Sequence, residues 1–281
     1  MHLTPETTEF LTHQALKLAH DAGDRILDVY VRSFDEGCQV AYKADNTPVT
    51  DADLVAHRMI TDGLRALTPD LPVLSEESDE IPYSERHQWP MYWLVDPLDG
   101  TAEFLRRNGE FTVNIALIQD GRPVIGVITA PVLNVAYFAA RACGSWKQHG
   151  RYEPIEIHVR TLPKTSPMVA CSRCPTVGRS FQKFLDKLGS HDEIQMGAAL
   201  KSCLVAEGVA DVYARLGPTS EWDTGAAQCI VEEAGGHFTD TKLCKLRYNT
   251  RESLLNPHFL VFGDASFNWS DCVPEEISIA G

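Results

Sequence analysis

Trp93-Leu94-Val95-Asp96-Pro97-Leu98-Asp99-Gly100-Thr101-Ala102-Glu103-Phe104 reads as a buried strand, residues 92–95, that ends in two aspartates with a proline and a leucine between them. Gly100-Thr101 then opens into Phe104-Leu105, the pattern of a helix start. Two carboxylates a few ångströms apart in a low dielectric cannot both stay ionised without a cation between them. The stretch therefore points to a divalent metal site with a phosphate-holding helix N-terminus beside it. Two other readings compete with this one. Asp-Pro and Asp-Gly are common turn pairs, although the strand before them, the threonine after them and further acids elsewhere weigh against a plain turn. An aspartyl-phosphate enzyme would carry Asp-x-Asp-Gly-Thr at a strand end; here Asp96 and Asp99 bracket two residues, and a proline follows the first.

Composition narrows the partners. The chain has 281 residues, 44% hydrophobic and 23% charged, which suits a globular protein of one large domain or two smaller ones. No apolar run approaches the ~20 residues of a membrane helix. Met1-His2-Leu3-Thr4-Pro5-Glu6 lacks the basic, then apolar, start of a secretory signal, so a cytoplasmic location is expected. A net charge of -14 argues against binding a nucleic acid polymer, which needs a basic footprint. It is compatible with a small phosphorylated substrate through cations that invert the local potential. The eight cysteines (38, 143, 171, 174, 203, 229, 244, 272) are scattered and are expected as reduced thiols. Cys171-Ser172-Arg173-Cys174 has the spacing of a zinc or redox site, without a second such pair or histidines at finger spacing.

Thr4-Pro5-Glu6 starts a helix, and Phe10, Leu11, Leu18, Ala22, Ile26 and Val29 continue it at helical spacing to about Tyr30. Asn46-Thr47-Pro48 makes a loop, Thr50 is the expected N-cap, and Asp53 at the third helical position would cap the helix. Residues 72–75 form a short strand that delivers Glu76 and Glu77, which point opposite ways from an extended chain, so Glu77 is expected in solvent. Residues 78–88 read as a polar surface loop. The runs 111–119, 123–130 and 135–140, joined by turns at Asp120-Gly121 and Leu133-Asn134, predict an antiparallel sheet to which 144–148 adds a strand. Beyond about 150 the pattern alternates: strands over 168–172, 193–196, 211–216 and 258–262, helices over 179–188, 199–207 and 222–234. A soft boundary is placed near Gly150, giving halves 1–150 and 151–281.

Three segments resemble the signatures of the inositol monophosphatase superfamily of lithium-sensitive, magnesium-dependent phosphatases. They are residues 93–104, Gly109-Glu110-Phe111-Thr112-Val113-Asn114-Ile115-Ala116-Leu117 and Glu221-Trp222-Asp223-Thr224-Gly225-Ala226-Ala227. The likeness runs from about residue 22 to 262. Arg107-Asn108-Gly109-Glu110-Phe111-Thr112-Val113-Asn114 is similar to the bacterial CysQ-type branch, the 3'(2'),5'-bisphosphate nucleotidases. The resemblance implies an α/β (α+β layered) sugar phosphatase fold of alternating α-β-α-β-α layers. The N-terminal half would carry most metal ligands, and the C-terminal half Asp223 and substrate contacts.

The resemblance further implies two or three Mg2+ ions: one on Glu76, Asp96 and the Leu98 carbonyl, a second on Asp96, Asp99 and Asp223, and a weaker third involving Asp53 and Glu76. Thr101 would orient the attacking water and pass a proton towards Glu76 or Asp53, while the Gly100 and Thr101 amides hold phosphate. Glu76, Leu98, Asp99 and Asp223 would also bound the substrate. Ser172, Lys201 and Arg251 fall in segments that resemble the family's substrate-facing regions; Lys201 reads equally as a solvated helix lysine. Relatives often carry histidine where Cys174 stands and serines where Ala198 and Ala199 stand, departures that touch the nucleotide side and leave the metal ligands alone. The implied reaction is hydrolysis of adenosine 3',5'-bisphosphate to AMP and phosphate, and of its sulfated precursor, without a covalent intermediate. An inositol monophosphatase or sugar phosphate phosphatase is the alternative on the same scaffold, and a non-catalytic nucleotide or metal sensor the remote one. Every acidic ligand and Thr101 is present, which speaks against the sensor. The resemblance is compatible with the expected cytoplasmic location and allows for peripheral association with the cytoplasmic side of the inner membrane.

Overall fold

Helix α1 (Pro5–Glu36) starts where the Thr4 hydroxyl accepts the Thr7 amide at 3.2 Å, and it runs past Tyr30. The computed structural model describes residues 3–36, 40–42, 48–163, 166–173 and 178–278; Cys38, Cys174 and residues 43–47 of the expected loop lie outside these. Strands β1 (Val40–Tyr42) and β2 (Pro48–Thr50) form an antiparallel ribbon that leads into α2 (Asp51–Leu67). Strand β3 (Val73–Ser75) follows. The stretch expected as a polar surface loop then contains a short helix, α3 (Tyr83–Arg86), whose Arg86 is only 2% exposed. That expectation is corrected by a tertiary contact: the guanidinium donates to Asn249 Oδ1 at 2.5 Å and to the Glu252 carbonyl, and the Asn249 side chain donates back to the Arg86 carbonyl at 2.5 Å.

A nine-residue strand, β4 (Met91–Asp99), carries the aspartates, and α4 (Thr101–Arg106) follows it directly. The chain then meanders through β5 (Thr112–Gln119), β6 (Arg122–Ala130), β7 (Val135–Ala140), β8 (Ser145–His149) and β9 (Ile155–Glu156). Together with β3 these strands make a seven-stranded sheet in the order β3-β4-β5-β6-β7-β8-β9, antiparallel except for the β3–β4 pair.

The later elements are β10 (Met168–Cys171), α5 (Arg179–Leu188), β11 (Asp192–Gln195), α6 (Leu200–Ala206), β12 (Val212–Arg215), α7 (Glu221–Glu233), β13 (His237–Asp240) and β14 (Phe259–Phe262). A 3-10 turn at Trp269–Cys272 and α8 (Glu275–Ser278) close the described chain. The second sheet has the order β11-β10-β12-β14-β13, with parallel pairs among the first three strands and antiparallel pairs at β14.

Side-chain alternation stacks these sheets. On β4, Met91, Trp93 and Val95 face the core shared with α1 and α2, while Tyr92 and Leu94 face the core shared with α6 and α7. On the second sheet, Ala170, Tyr213 and Val261 face that same middle core, and Val169, Val212, Leu260 and Phe262 face α5 and Trp269. The result is five layers, α-β-α-β-α, each sheet buried on both faces as its apolar runs demand. Trp93 is wholly buried, worth about 1.5–3 kcal/mol for a large apolar side chain, and its indole N–H is satisfied by the Thr68 hydroxyl at 2.8 Å. Helix α7 lies close on the first sheet because Gly126 of β6 has no side chain: a Cβ there would stand 2.3 Å from the Ala226 carbonyl oxygen. That approach fixes where the N-terminal end of α7, with Asp223, meets β4.

Candidate active site

The end of β4 breaks its own alternation. Asp96 pairs with Asn114 and Asp99 with Thr112, so three steps on β4 match two on β5, and one extra residue is accommodated at Pro97-Leu98. Proline tolerates the irregularity because it has no ladder N–H to lose. Leu98 consequently packs into the α1/α2 core that Trp93 and Val95 occupy. The phase of the strand has shifted by one, and Asp99 emerges on the same side as Asp96. Gly100, at φ +90°, turns the chain into α4.

Asp223 arrives from the first turn of α7, where its carboxylate also accepts the Ser220 amide at 2.9 Å. Carboxylate oxygens of Asp96, Asp99 and Asp223 all lie within 4.8 Å of one another. Asp96 is 1% exposed, and its nearest hydrogen-bond donor is the Leu98 amide at 3.1 Å. Burial pushes its pKa well up, and the charges of Glu76, Asp99, Asp223 and Asp53 add to the shift. Burial likewise raises Asp99, against the pull of Lys201 and a 3.4 Å hydrogen bond from Asn114. Asp223 is pushed up to about 8 by burial and then by Asp99. Such shifts mark carboxylates gathered without enough positive charge.

Asp53 stands at the edge of this cluster. It is buried, it caps α2 by accepting the Thr50 amide at 2.7 Å and the Thr50 hydroxyl at 2.6 Å, and its other oxygen accepts the Thr101 hydroxyl at 3.4 Å. Burial raises its pKa, and Glu76 adds to the rise while the Thr50 bonds oppose it. Glu76 follows β3 and is tied to β4 by its amide, which donates to the Val95 carbonyl at 3.1 Å. Glu77 is half-buried, not solvated as expected, because the chain turns at once after Ser75.

Lys201 is 5% exposed, which corrects the solvated reading. Its ammonium donates to the Ala198 carbonyl at 2.7 Å and lies 5.4 Å from the Tyr213 ring centroid. Burial lowers its pKa to about 8, with Asp99 opposing. It lines a recess together with Asp99, Gly100, Tyr213, Arg215 and Asp223. That recess shares Ala102, Glu103, Tyr213 and Arg215 with a neighbouring cavity of about 470 Å³ that reaches Ser172 and Arg106. Arg251 is exposed and lines neither; its guanidinium donates to the Leu255 carbonyl in its own loop. Arg215 is the residue that motif reading missed. It lines both cavities, donates to the Pro218 carbonyl at 2.9 Å, and leaves its buried Nε without a partner among the described residues. A strand-terminal arginine gives no local signal of such a role.

The three clustered oxygens suit a hard divalent cation, since carboxylates at this spacing need only small adjustment to share one ion, and none of the three forms an ion pair with lysine or arginine among the described residues. The six described cysteines are free thiols, and none belongs to a group of potential metal ligands. No helix among the described residues is long and apolar enough to cross a membrane.

Comparison with known proteins places this geometry in a family. The inositol monophosphatase family model matches residues 8–264. The 3'(2'),5'-bisphosphate nucleotidase CysQ of Salmonella typhimurium is 49% identical over 251 residues, covering 89% of this chain and 99% of that protein. The protein of the same name from Haemophilus influenzae is 39% identical, covering 93% and 96%. Among solved structures, CysQ from Bacteroides thetaiotaomicron, described as a bacterial member of the inositol monophosphatase family, superposes with a TM-score of 0.75 at 38% identity over 90% of this chain and 96% of that one. The chain therefore belongs to the inositol monophosphatase family.

Proposed function

We propose that the chain is a magnesium-dependent 3'(2'),5'-bisphosphate nucleotidase that hydrolyses adenosine 3',5'-bisphosphate to AMP and phosphate, and also accepts the sulfated precursor. The observation that carries this reading is the convergence of Asp96 and Asp99 from β4 with Asp223 from α7 beside a cavity lined by arginine. The nucleotidases quoted above, 39–49% identical over most of their length, support the nucleotide as substrate.

Asp96, Asp99 and Asp223, with Glu76, Asp53 and the Leu98 carbonyl, would hold two or three Mg2+ ions. Magnesium there supplies positive charge that acidifies water and neutralises phosphoryl oxygens. The chain's own groups do the rest. Thr101, hydrogen-bonded to Asp53, orients the attacking water and hands a proton to that carboxylate or to Glu76; a carboxyl of raised pKa is better suited to receive one. The amides of Gly100 and Thr101 face the phosphate. Ser172, Lys201 and Arg215 bind the remainder of the substrate, the partnerless Arg215 Nε being a donor that an anionic second phosphate would satisfy. The 470 Å³ cavity lies within the range of small-molecule sites. In sequence the two halves, 1–150 and 151–281, contribute five of the six oxygen donors and Asp223 respectively. Free thiols support a cytoplasmic setting.

Phosphate release over a panel of adenosine 3',5'-bisphosphate, its sulfated precursor, inositol monophosphate and sugar phosphates, with and without Mg2+, tests the reading. The bisphosphate should be turned over fastest and only with the metal. A preference for inositol monophosphate would overturn the nucleotide assignment.

A further inference from the structure

Where the loop after α4 meets the second sheet, Glu110 is 6% exposed and its carboxylate receives three donors. Arg173 approaches as a fork, Nε to Oε2 at 2.7 Å and Nη2 to Oε1 at 2.6 Å, and the Gly197 amide donates to Oε2 at 2.9 Å. On its other side the Glu110 amide donates to Asn108 Oδ1 at 3.0 Å, the Asn108 side chain donates to Glu103, and Arg106 reaches Glu103 at 3.0 Å. One polar network thus runs from α4, whose start adjoins the aspartates, to two segments of the C-terminal half. The first follows β10 and carries Ser172; the second, at Gly197, leads into α6, which carries Lys201. The contact at Gly197 is close: a Cβ there would stand 2.5 Å from the Glu110 carbonyl oxygen and 2.8 Å from its Cβ.

Only the Glu110 end of this fork is buried; Arg173 is 44% exposed, so solvent screens the attraction and the pair adds little stability. What it delivers is fixed geometry, since a bidentate pair allows one relative orientation. We propose that Glu110 is a positioning residue for the nucleotide half of the site. This rests on the nucleotidase reading above. It clamps Arg173 and the Gly197 amide so that Ser172 and Lys201 keep their places around the cavity beside Asp99. It touches neither the substrate nor the reacting atoms.

Two variants separate positioning from bulk stability. Glu110→Gln keeps the size and an acceptor for Gly197 but loses the charge; Arg173→Ala removes the other half from a side chain that is 44% exposed, so it carries the test if the first variant does not fold. Each should raise KM for adenosine 3',5'-bisphosphate about tenfold, with a much smaller change in kcat. Inhibition by inorganic phosphate, which needs only the carboxylate side, should move less than about twofold in the same variants. The double variant should cost no more than the worse single one, as expected for one shared interaction. The proposal is overturned if nucleotide KM is unchanged in the folded variants, or if phosphate inhibition shifts in parallel with it. Should the unaltered enzyme hydrolyse a different ester in preference, the nucleotidase reading fails alone; the same comparison of that ester's KM with phosphate inhibition then decides on Glu110.

Discussion

Replacing Asp223 by asparagine should make the chelator-stripped protein more stable while destroying its response to magnesium. Two charges 4.8 Å apart repel by about 3.5 kcal/mol at an effective dielectric of 20. The pKa gives a similar scale: a carboxyl raised from 3.8 to about 8 costs about 4 kcal/mol at pH 7. Water reaching the partly exposed carboxylate roughly halves this, leaving about 2 kcal/mol, or about 4 °C in Tm for a chain of this size. The direction with pH is opposite to ordinary acid denaturation. Because the folded pKa lies above the unfolded one, stability is greatest below about pH 4 as far as this group is concerned and is lost as pH rises to about 8. Asparagine preserves the cap on Ser220, since its carbonyl can accept the same amide. The assay is thermal unfolding from pH 5 to 8.5 in EDTA, then in Mg2+. The native protein should gain about 2.7 kcal/mol at a hundredfold excess over Kd, and the variant little. A stripped variant that melts below the native protein at pH 7, or one that keeps the full magnesium shift, would refute the view of these carboxylates as a repulsive cluster awaiting a cation.

Asp96→Asn should lower phosphate release by at least about 10³-fold with the fold intact by circular dichroism; an unchanged rate removes Asp96 from the site. In the native enzyme, affinity for the nucleotide should weaken as pH rises through about 8, where Lys201 loses its charge, and the Lys201→Met variant should show a flat profile in the same binding titration. Arg86→Ala should destabilise the protein by about 3 kcal/mol in urea unfolding. It strands Asn249, whose amide donates to Glu221 at 2.8 Å two positions before Asp223; a change under about 0.5 kcal/mol would contradict that coupling.

Much of this arrangement could be read along the chain because its signals are local. Strand 135–140 is bounded as expected, since its apolar run is unbroken between two turns, and Thr50-x-x-Asp53 forms the capping box its spacing announces. The antiparallel sheet and the layered second half followed from runs of strands giving way to alternation, and the five-layer order from the family resemblance, although β13 and the antiparallel place of β14 did not, because His237–Asp240 is too short and polar to stand out. What escaped depends on distant partners. Arg86 is buried by a residue 163 positions later, and no window of sequence contains both. Lys201 lies on a short helix that is buried throughout, so its amphipathic pattern could not distinguish solvent from cavity. Glu110 and Asn114 stood in a quoted motif, but their roles became visible only when Arg173 and Asp99 were placed against them.

The extra residue in β4 has a consequence for how this protein can vary. The two aspartates are three positions apart and share a side only because the bulge absorbs one residue, so the separation behaves as a quantised quantity: deleting Pro97 or Leu98 restores plain alternation and keeps both on that side, whereas inserting one residue without a second bulge swings Asp99 by half a pleat into the apolar layer where Leu98 now sits. Single-residue insertions at this point are therefore far more damaging than substitutions or single deletions, and a library that scans single-residue insertions along residues 91–104 should show its sharpest loss of function between Asp96 and Asp99.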